Sequence, residues 1–236
     1  MAHLIFDNVT IKYPVYNGAA KSLKKALVSA STGGLLSKAP GEVMTITALE
    51  QVSFELKDGD SVGLIGHNGA GKTTLLRSMA GIYTPVSGSI TSQGKISTII
   101  ELGAGLDSEL SGYENILRLG LLLGMSKSEI HRLLPSIEDF TELGSFLEAP
   151  VRTYSSGMLM RLMFAVSTSN QPEILLVDEM FGTGDKGFQE KAKARMESLI
   201  SAAKIFVFAS HSEELIKKFC NRIFELSHGS VKEVGF

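Results

Sequence analysis

Eight consecutive residues, 66–73, read GHNGAGKT and match the pattern G-x-x-x-x-G-K-[S/T]. An apolar run precedes them and a helical pattern follows, which is the context that this pattern requires. Glycines let such a loop wrap closely and point its N–H groups at phosphate oxygens, and the helix start adds a positive dipole end. The stretch therefore predicts a nucleotide phosphate site, in which Lys72 reaches the β and γ phosphates and the Thr73 hydroxyl reaches Mg²⁺.

Two carboxylates end a second apolar run, ILLVDE at 174–179. The four apolar residues predict a buried strand, with Asp178 and Glu179 at its carboxyl end. Asp178 can hold Mg²⁺ through water, and Glu179 can accept a proton from an attacking water or orient that water. An apolar run before Asp-Glu is common by itself, but beside a phosphate loop it predicts nucleotide hydrolysis.

Two further stretches are ambiguous when each is taken alone. The sequence YSSGM at 154–158 places two serines and a glycine at the start of a helical pattern. Such a start is either an ordinary helix cap or an anion-binding helix terminus. His211 follows the apolar run VFAS, where a histidine is either structural or within reach of a γ-phosphate.

Composition and length limit the class of protein. The chain has 236 residues, 44% apolar and 20% charged, with a net charge of -2. This is typical of a globular protein, with no basic field to attract nucleic acid. We find no signal peptide and no run near the ~18 apolar residues of a membrane span, so a role at a membrane would require a spanning partner.

The order of strand and helix patterns predicts a largely parallel α/β sheet. Strands are expected at 3–13, 46–56, 61–65, 174–177 and 204–209, and a closing hairpin at 222–234. The stretch SITSQGKISTIIEL, 89–102, predicts another hairpin. Helical patterns fill 111–146, which indicates an inserted helical subdomain, and return at 156–168, 186–203 and 213–220.

Taken in order, these features resemble those of an ABC-type ATPase subunit over the whole chain: phosphate loop, helical insert, Ser-Ser-Gly helix start, Asp-Glu strand and strand-end histidine. The resemblance implies an α/β fold, namely a P-loop NTPase core of the ABC type with an antiparallel β subdomain and an inserted α-helical subdomain. It implies one ATPase domain at 1–236, with the helical subdomain at 106–152 and an extra basic segment at 15–45. No guanine-reading NKxD motif is present, which counts against a GTPase.

The resemblance also implies roles for individual residues. Tyr13 would stack under the adenine, with Tyr16 as a weaker choice, and Ser156 and Gly157 would close on ATP held by another copy. Glu179 and His211 would be catalytic. The ligands implied for Mg²⁺ are Thr73, Asp178 and Glu101, the last in place of the family's usual glutamine. The residues implied for ATP contact are Tyr13, Gly66, His67, Asn68, Gly69, Ala70, Gly71, Lys72, Thr73, Thr74, Ser155, Ser156 and Gly157.

Finer motifs resemble one subgroup of these ATPases. The stretches ELGAG, YSSGM and DE…GD..F..K, the last including Gly184-Asp185, Phe188 and Lys191, resemble exporters of bacterial O-antigen, capsule or teichoic acid. The long 15–45 segment favours O-antigen export. The chain ends soon after the closing hairpin, so we expect no C-terminal carbohydrate-binding domain.

The implied partners are a second copy of the chain and two copies of an integral membrane permease, which would dock on the helical insert. The cargo would be a lipid-linked polysaccharide, and no nucleic acid is expected. The chain would lie at the cytoplasmic face of the bacterial inner membrane, where residues 19–38 would touch the permease or anionic lipid, or simply pack on the core.

Three alternatives remain at this stage. The same exporter class could carry capsule or teichoic acid. A soluble ABC-type ATPase of translation or DNA repair usually has two cassettes or a coiled-coil insert, and this sequence predicts neither. A small-molecule kinase would leave YSSGM and His211 without a role.

Overall fold

The computed structural model describes residues 1–14, 35–37, 45–100, 103–178 and 186–235. Two compact units make up the chain: Met1–Ile96 with Leu176–Glu179 and Lys204–Phe236, and Ser97–Leu175 with Met180–Ala203. Of the basic segment predicted at 15–45, all but 35–37 and 45 lies outside the described residues. Within the described ranges, no helix combines the length and apolar character needed to cross a bilayer.

The elements agree closely with the patterns in the sequence. The strands are β1 (His3–Pro14), β2 (Leu35–Ser37), β3 (Thr45–Lys57), β4 (Ser61–Ile65), β5 (Ser87–Gln93), β6 (Ile96–Ile99), β7 (Ile174–Asp178), β8 (Ile205–Ala209), β9 (Arg222–Ser227) and β10 (Ser230–Val234). The helices are α1 (Lys72–Met79), α2 (Gly112–Leu122), α3 (Lys127–Thr141), α4 (Ser156–Ser167), α5 (Lys186–Ala202) and α6 (Glu213–Phe219). Short 3₁₀ turns cover Gly144–Glu148 and Val151–Thr153.

The first unit contains an antiparallel sheet in the order β2-β3-β1-β5. Leu4 and Phe6 of β1 are buried, and the Phe6 ring stacks on Phe54 of β3 with centroids 4.5 Å apart. Period-two burial of this kind is what orients one face of a strand towards the core. The sheet holds Tyr13 near the end of β1, where it pairs with Ile46.

A second sheet of the same unit runs in the order β10-β9-β4-β8-β7, and β4 is parallel to both β8 and β9. Val62 and Leu64 of β4 are fully buried, as expected for a strand covered on both faces. Leu64 pairs with Ala209. The phosphate loop after β4 and His211 after β8 therefore leave the sheet at the same edge, where α/β proteins bind their ligands.

The hairpin predicted within 89–102 is wrong. β5 pairs antiparallel with β1, with Gln93 opposite His3, whereas β6 lies in a different sheet. Gly94 has a φ of 119°, so the turn itself is real. A glycine turn between two apolar runs indicates a reversal of direction, but it does not fix the strand with which each run pairs.

The second unit is rich in helices with strong start signals. Ser111 and Glu114 form a capping box at α2, and Ser126 and Glu129 form one at α3. Such boxes satisfy two of the otherwise unpaired N–H groups at a helix start. Both helices fall within the predicted helical insert at 106–152, whose boundaries stay a prediction.

Candidate functional site

The phosphate loop is pressed against backbone on two sides. A Cβ on Gly66, at φ 146°, would lie 2.4 Å from the Leu226 carbonyl oxygen, and one on Gly71, at φ 109°, would lie 3.0 Å from that of Ala48. Both positions therefore require glycine for steric as well as conformational reasons. Ala70 is buried, while His67, Asn68 and Gly69 are exposed at the open side of the loop. The loop is a narrow cradle with one face open.

Lys72 occupies the interior of that cradle. Its Nζ donates hydrogen bonds to the carbonyl oxygens of Gly66 at 2.7 Å and His67 at 3.3 Å. Helix α1 begins here with no capping side chain and no acidic residue in its first turn. Its first N–H groups and the Lys72 ammonium thus converge without an anionic group of α1 to compensate them, which is the electrostatic requirement for binding phosphate.

Thr73 and Asp178 meet although they are 105 positions apart in the chain. The Thr73 hydroxyl donates to the Asp178 carboxylate at 2.7 Å, and both side chains are half-buried. Mg²⁺ prefers oxygen ligands and usually keeps several waters. The pair supplies a hydroxyl and a carboxylate oxygen, so these residues are compatible with the predicted ion, which Thr73 would bind directly and Asp178 through water.

Tyr13 lies beside the start of α1. Its hydroxyl donates to the Thr74 hydroxyl oxygen at 3.0 Å. Burial raises the pKa of Tyr13 to about 12, so the phenol stays protonated at neutral pH. These contacts fix the ring next to the phosphate loop, which is compatible with the predicted stacking on adenine. The weaker alternative, Tyr16, lies outside the described residues.

Tyr83 is a further aromatic residue at this place that sequence reasoning missed. Its ring meets the Tyr13 ring edge-on, with centroids 5.2 Å apart and planes at 75°. Arg77 of α1 donates from Nη1 to the Tyr83 hydroxyl at 2.9 Å, and its guanidinium lies 5.8 Å from the ring centroid. Tyr83 therefore connects α1 to Tyr13. Its position in the irregular stretch after α1 gave no signal of that contact.

The other predicted residues are distributed over the two units. His211 is exposed just beyond β8 in the first unit. In the second unit, the Ser155 hydroxyl caps α4 by accepting from the Met158 N–H at 3.2 Å, and Ser156 and Gly157 are exposed. The predicted residues outside the described ranges are Glu101, Glu179, Gly184 and Asp185.

Replacement of Tyr83 by alanine should weaken ATP binding more than it slows turnover. An edge-to-face aromatic pair contributes about 0.5–1.5 kcal/mol, so we expect KM for ATP to rise about two- to thirteen-fold. Steady-state ATPase kinetics would measure this. Tyr83→Phe keeps the ring contact and loses the hydroxyl contacts with Arg77 and Tyr13, so it should stay nearer the native KM than Tyr83→Ala. A fall in kcat with unchanged KM in Tyr83→Ala would contradict a role for Tyr83 in holding the Tyr13 ring against adenine.

Comparison with known proteins gives a consistent result. Residues 49–182 match the family model described as ABC transporter. The chain is 63% identical over 233 residues to the O-antigen export system ATP-binding protein RfbE of Yersinia enterocolitica, covering 99% of this chain and 98% of RfbE. It is 38% identical to the teichoic acids export ATP-binding protein TagH of Listeria innocua, covering 98% of this chain and 66% of TagH.

Solved structures support the same fold. A dimeric ATP-binding cassette, determined in a post-hydrolysis state with ADP and Pi, matches with a TM-score of 0.68 at 22% identity. The match covers 99% of this chain and 100% of that one. The fold is therefore the α/β P-loop fold of ABC cassettes that the sequence predicted. With the family model and the nearly full-length relative, this establishes that the chain belongs to the ABC transporter family, as one of its ATP-binding, ATP-hydrolysing subunits.

Proposed function

We propose that this chain hydrolyses ATP to power export of a lipid-linked polysaccharide of the O-antigen type across the bacterial inner membrane. The observation that carries the proposal is its 63% identity to RfbE over nearly the full length of both chains. A second O-antigen export ATP-binding protein, RfbB of Klebsiella pneumoniae, is 36% identical over 230 residues. Both names describe O-antigen export, and we propose the same role for this chain.

The contacts around the phosphate loop support the roles that we assign to Lys72, Tyr13, Thr73 and Asp178, whereas those of Glu179 and His211 come from the resemblance to ABC-type ATPases. The loop N–H groups and Lys72 bind the β and γ phosphates, and Tyr13 stacks on adenine. Thr73 and Asp178 would hold Mg²⁺, which would neutralise charge developing on the phosphates. Glu179 orients the attacking water and accepts its proton, and His211 contacts the γ-phosphate from the same edge of the sheet.

The free space around Gly157 supports a dimer with ATP between the two copies. Among the residues that the structure describes, a Cβ there would meet only the Ser155 hydroxyl oxygen, at 3.9 Å, and the residue is exposed. Glycine costs up to ~1 kcal/mol relative to alanine within a helix, so these described contacts do not account for it. Close approach of an external group does account for it. We assign that group to the triphosphate bound by a second, head-to-tail copy.

Two permease copies complete the proposed complex. They dock on the helical insert at 106–152 and hold the chain at the cytoplasmic face of the inner membrane. ATP drives transport only to the extent that it binds the closed dimer better than the open one. ATP binding therefore favours the closed dimer, and hydrolysis allows it to open again, which completes one transport cycle.

Teichoic acid export is the second candidate for the cargo. The 38% identity to TagH favours it over unrelated cargoes, but this is far below the identity to RfbE. The two candidates share the ATP site, so they differ only in the polymer that the permease receives.

A Lys72→Met variant in the native bacterium tests this function. Loss of the Lys72 ammonium removes the main positive charge that faces the β and γ phosphates. ATP hydrolysis and export should therefore stop while synthesis of the polysaccharide continues. Long polysaccharide should disappear from the cell surface and accumulate inside in lipid-linked form, as measured by gel analysis of surface and cytoplasmic glycan. The unsubstituted gene should restore export. Unchanged surface glycan would contradict the proposal. Accumulation of a polyol-phosphate polymer would show that the cargo is teichoic acid and not O-antigen.

Gly157→Ala distinguishes an effect on folding from an effect on the proposed dimer with ATP between its two copies. The added methyl group fits the free chain, so the thermal midpoint should stay the same or rise slightly. In the dimer it would displace the triphosphate, and a misplacement of about 1 Å can reduce the rate about 100-fold. Calorimetry and ATPase assays give the two readouts. Gly235→Ala, also in open space, is the control and should keep full activity. Full ATPase activity in Gly157→Ala would contradict the proposed contact between Gly157 and the ATP of a second copy.

A further inference from the structure

A buried asparagine of the second unit orders the loop before α2. Asn115 is fully buried, and its side-chain Oδ1 accepts from the Asp107 N–H at 2.9 Å. Its Nδ2 donates to carbonyl oxygens of the same loop, those of Asp107 at 2.9 Å, Leu110 at 3.2 Å and Ser111 at 2.9 Å. Removal of a buried amide would leave these main-chain groups without that partner, which costs more than the loss of an exposed contact. Asn115 therefore holds residues 107–111 in one course.

The segment that leads into YSSGM is laid along this loop. The N–H groups of Val151 and Arg152 donate to the carbonyl oxygens of Leu110 and Ser108, both at 2.9 Å. These bonds join main chain to main chain, so they fix the path of the segment and not only the direction of a side chain. Residues 150–154 thus take their position from the loop before α2.

Tyr154 attaches the end of this segment at a second place. Its hydroxyl donates to the Phe146 carbonyl oxygen at 2.7 Å, in the 3₁₀ turn at Gly144–Glu148. Gly112 makes room for that hydroxyl, because a Cβ there would lie 2.4 Å from the Tyr154 oxygen. Burial raises the pKa of Tyr154, so the phenol keeps the proton that it donates. Tyr154 is the first residue of YSSGM, and the site described above gives it no role.

The next three residues, 155–157, form the Ser-Ser-Gly start of α4. Ser155 is held by the helix, since its hydroxyl accepts from the Met158 N–H at 3.2 Å and its carbonyl oxygen accepts from the Leu159 N–H at 3.0 Å. On its other side, Ser155 is bonded directly to the anchored Tyr154. The exposed end of the helix therefore lies between two fixed points of the same unit.

Anchoring of this kind affects association as well as folding. A loop that acts across an interface is ordered either in the free chain or only on binding. In the second case the lost conformational entropy opposes association, and the affinity falls. The hydrogen bonds of Asn115 and Tyr154 order the approach to the Ser-Ser-Gly start before any second copy is present.

We propose that Asn115 and Tyr154 are positioning residues that hold the Ser-Ser-Gly start ready to close on the ATP of a second copy. This inference rests on the proposed function, in which Ser156 and Gly157 contact that ATP. Asn115 and Tyr154 act through the chain segments that they anchor and do not touch the nucleotide. Their loss should weaken the dimer but leave ATP binding by the phosphate loop of the other unit unchanged.

The test compares the dimer dissociation constant of Glu179→Gln with that of Glu179→Gln carrying Tyr154→Phe. Analytical ultracentrifugation in saturating ATP and Mg²⁺ measures it. Phenylalanine keeps the ring and removes the bond to Phe146. Each dimer loses two such bonds, so the dissociation constant should rise about ten-fold. The affinity of the single chain for ATP, measured at chain concentrations too low for dimers, should stay the same.

Asn115→Ala is the second variant in the same background. It should raise the dimer dissociation constant at least as much as Tyr154→Phe, because a whole loop loses its buried partner. It should also lower the thermal midpoint, so the comparison is made well below that temperature. Unchanged affinity of the single chain for ATP would separate this effect from general loss of structure.

The control is Tyr113→Phe. Tyr113 lies on α2 of the same unit, and its hydroxyl is hydrogen-bonded to the Glu138 side chain of α3, away from residues 150–157. Its loss should leave the dimer dissociation constant unchanged. An unchanged constant in Tyr154→Phe, an equal rise in Tyr113→Phe, or a matching loss of ATP affinity in the single chain would overturn the positioning role. A Glu179→Gln chain that binds ATP but never dimerises would instead overturn the proposed function, and this inference with it.

Discussion

Parallel pairing in the core sheet is the constraint on which the site depends. β4 and β8 run side by side, with Leu64 opposite Ala209, so the chain leaves both strands at one edge. β7 lies next to β8 and ends at Asp178. The hydrogen bond from Thr73 to Asp178 is the consequence, since it joins the start of α1 to the end of β7. A slip of one residue in β4 or β7 would move the carboxyl end of that strand by about 3.3 Å and break this contact.

Helix starts in the chain show two ways of satisfying unpaired N–H groups. α2 and α3 carry capping boxes in which Glu114 and Glu129 supply negative charge to the first turn. α1 has neither an acidic residue nor a capping side chain there. The difference reserves the start of α1 for an anion that the chain itself does not provide. Local sequence thus distinguishes the capped, acidic starts of α2 and α3 from the start of α1, which we assign to the nucleotide.

The fold was largely predictable from the sequence because its signals are local. Apolar runs marked β4, β7 and β8, and helical patterns within 111–146 marked α2 and α3. The pairing of β5 with β1 was not predictable, because the turn at Gly94 does not specify a partner strand. The loop, Thr73 and Asp178 were predictable since their motifs carry the chemistry. Tyr83 was not assigned a role, because its ring contact with Tyr13 joins segments far apart in the chain.

The central claim is that two copies of this chain enclose ATP between them. Light scattering of the Glu179→Gln variant, with nucleotide occupancy measured on the same sample, tests it most directly. That change should retain ATP while slowing its hydrolysis, so the closed state accumulates. We expect a dimer with two bound ATP molecules that forms only when ATP and Mg²⁺ are present. The proposed dimer would be contradicted if the variant were fully occupied by ATP but remained a monomer, both by itself and when the permease is added.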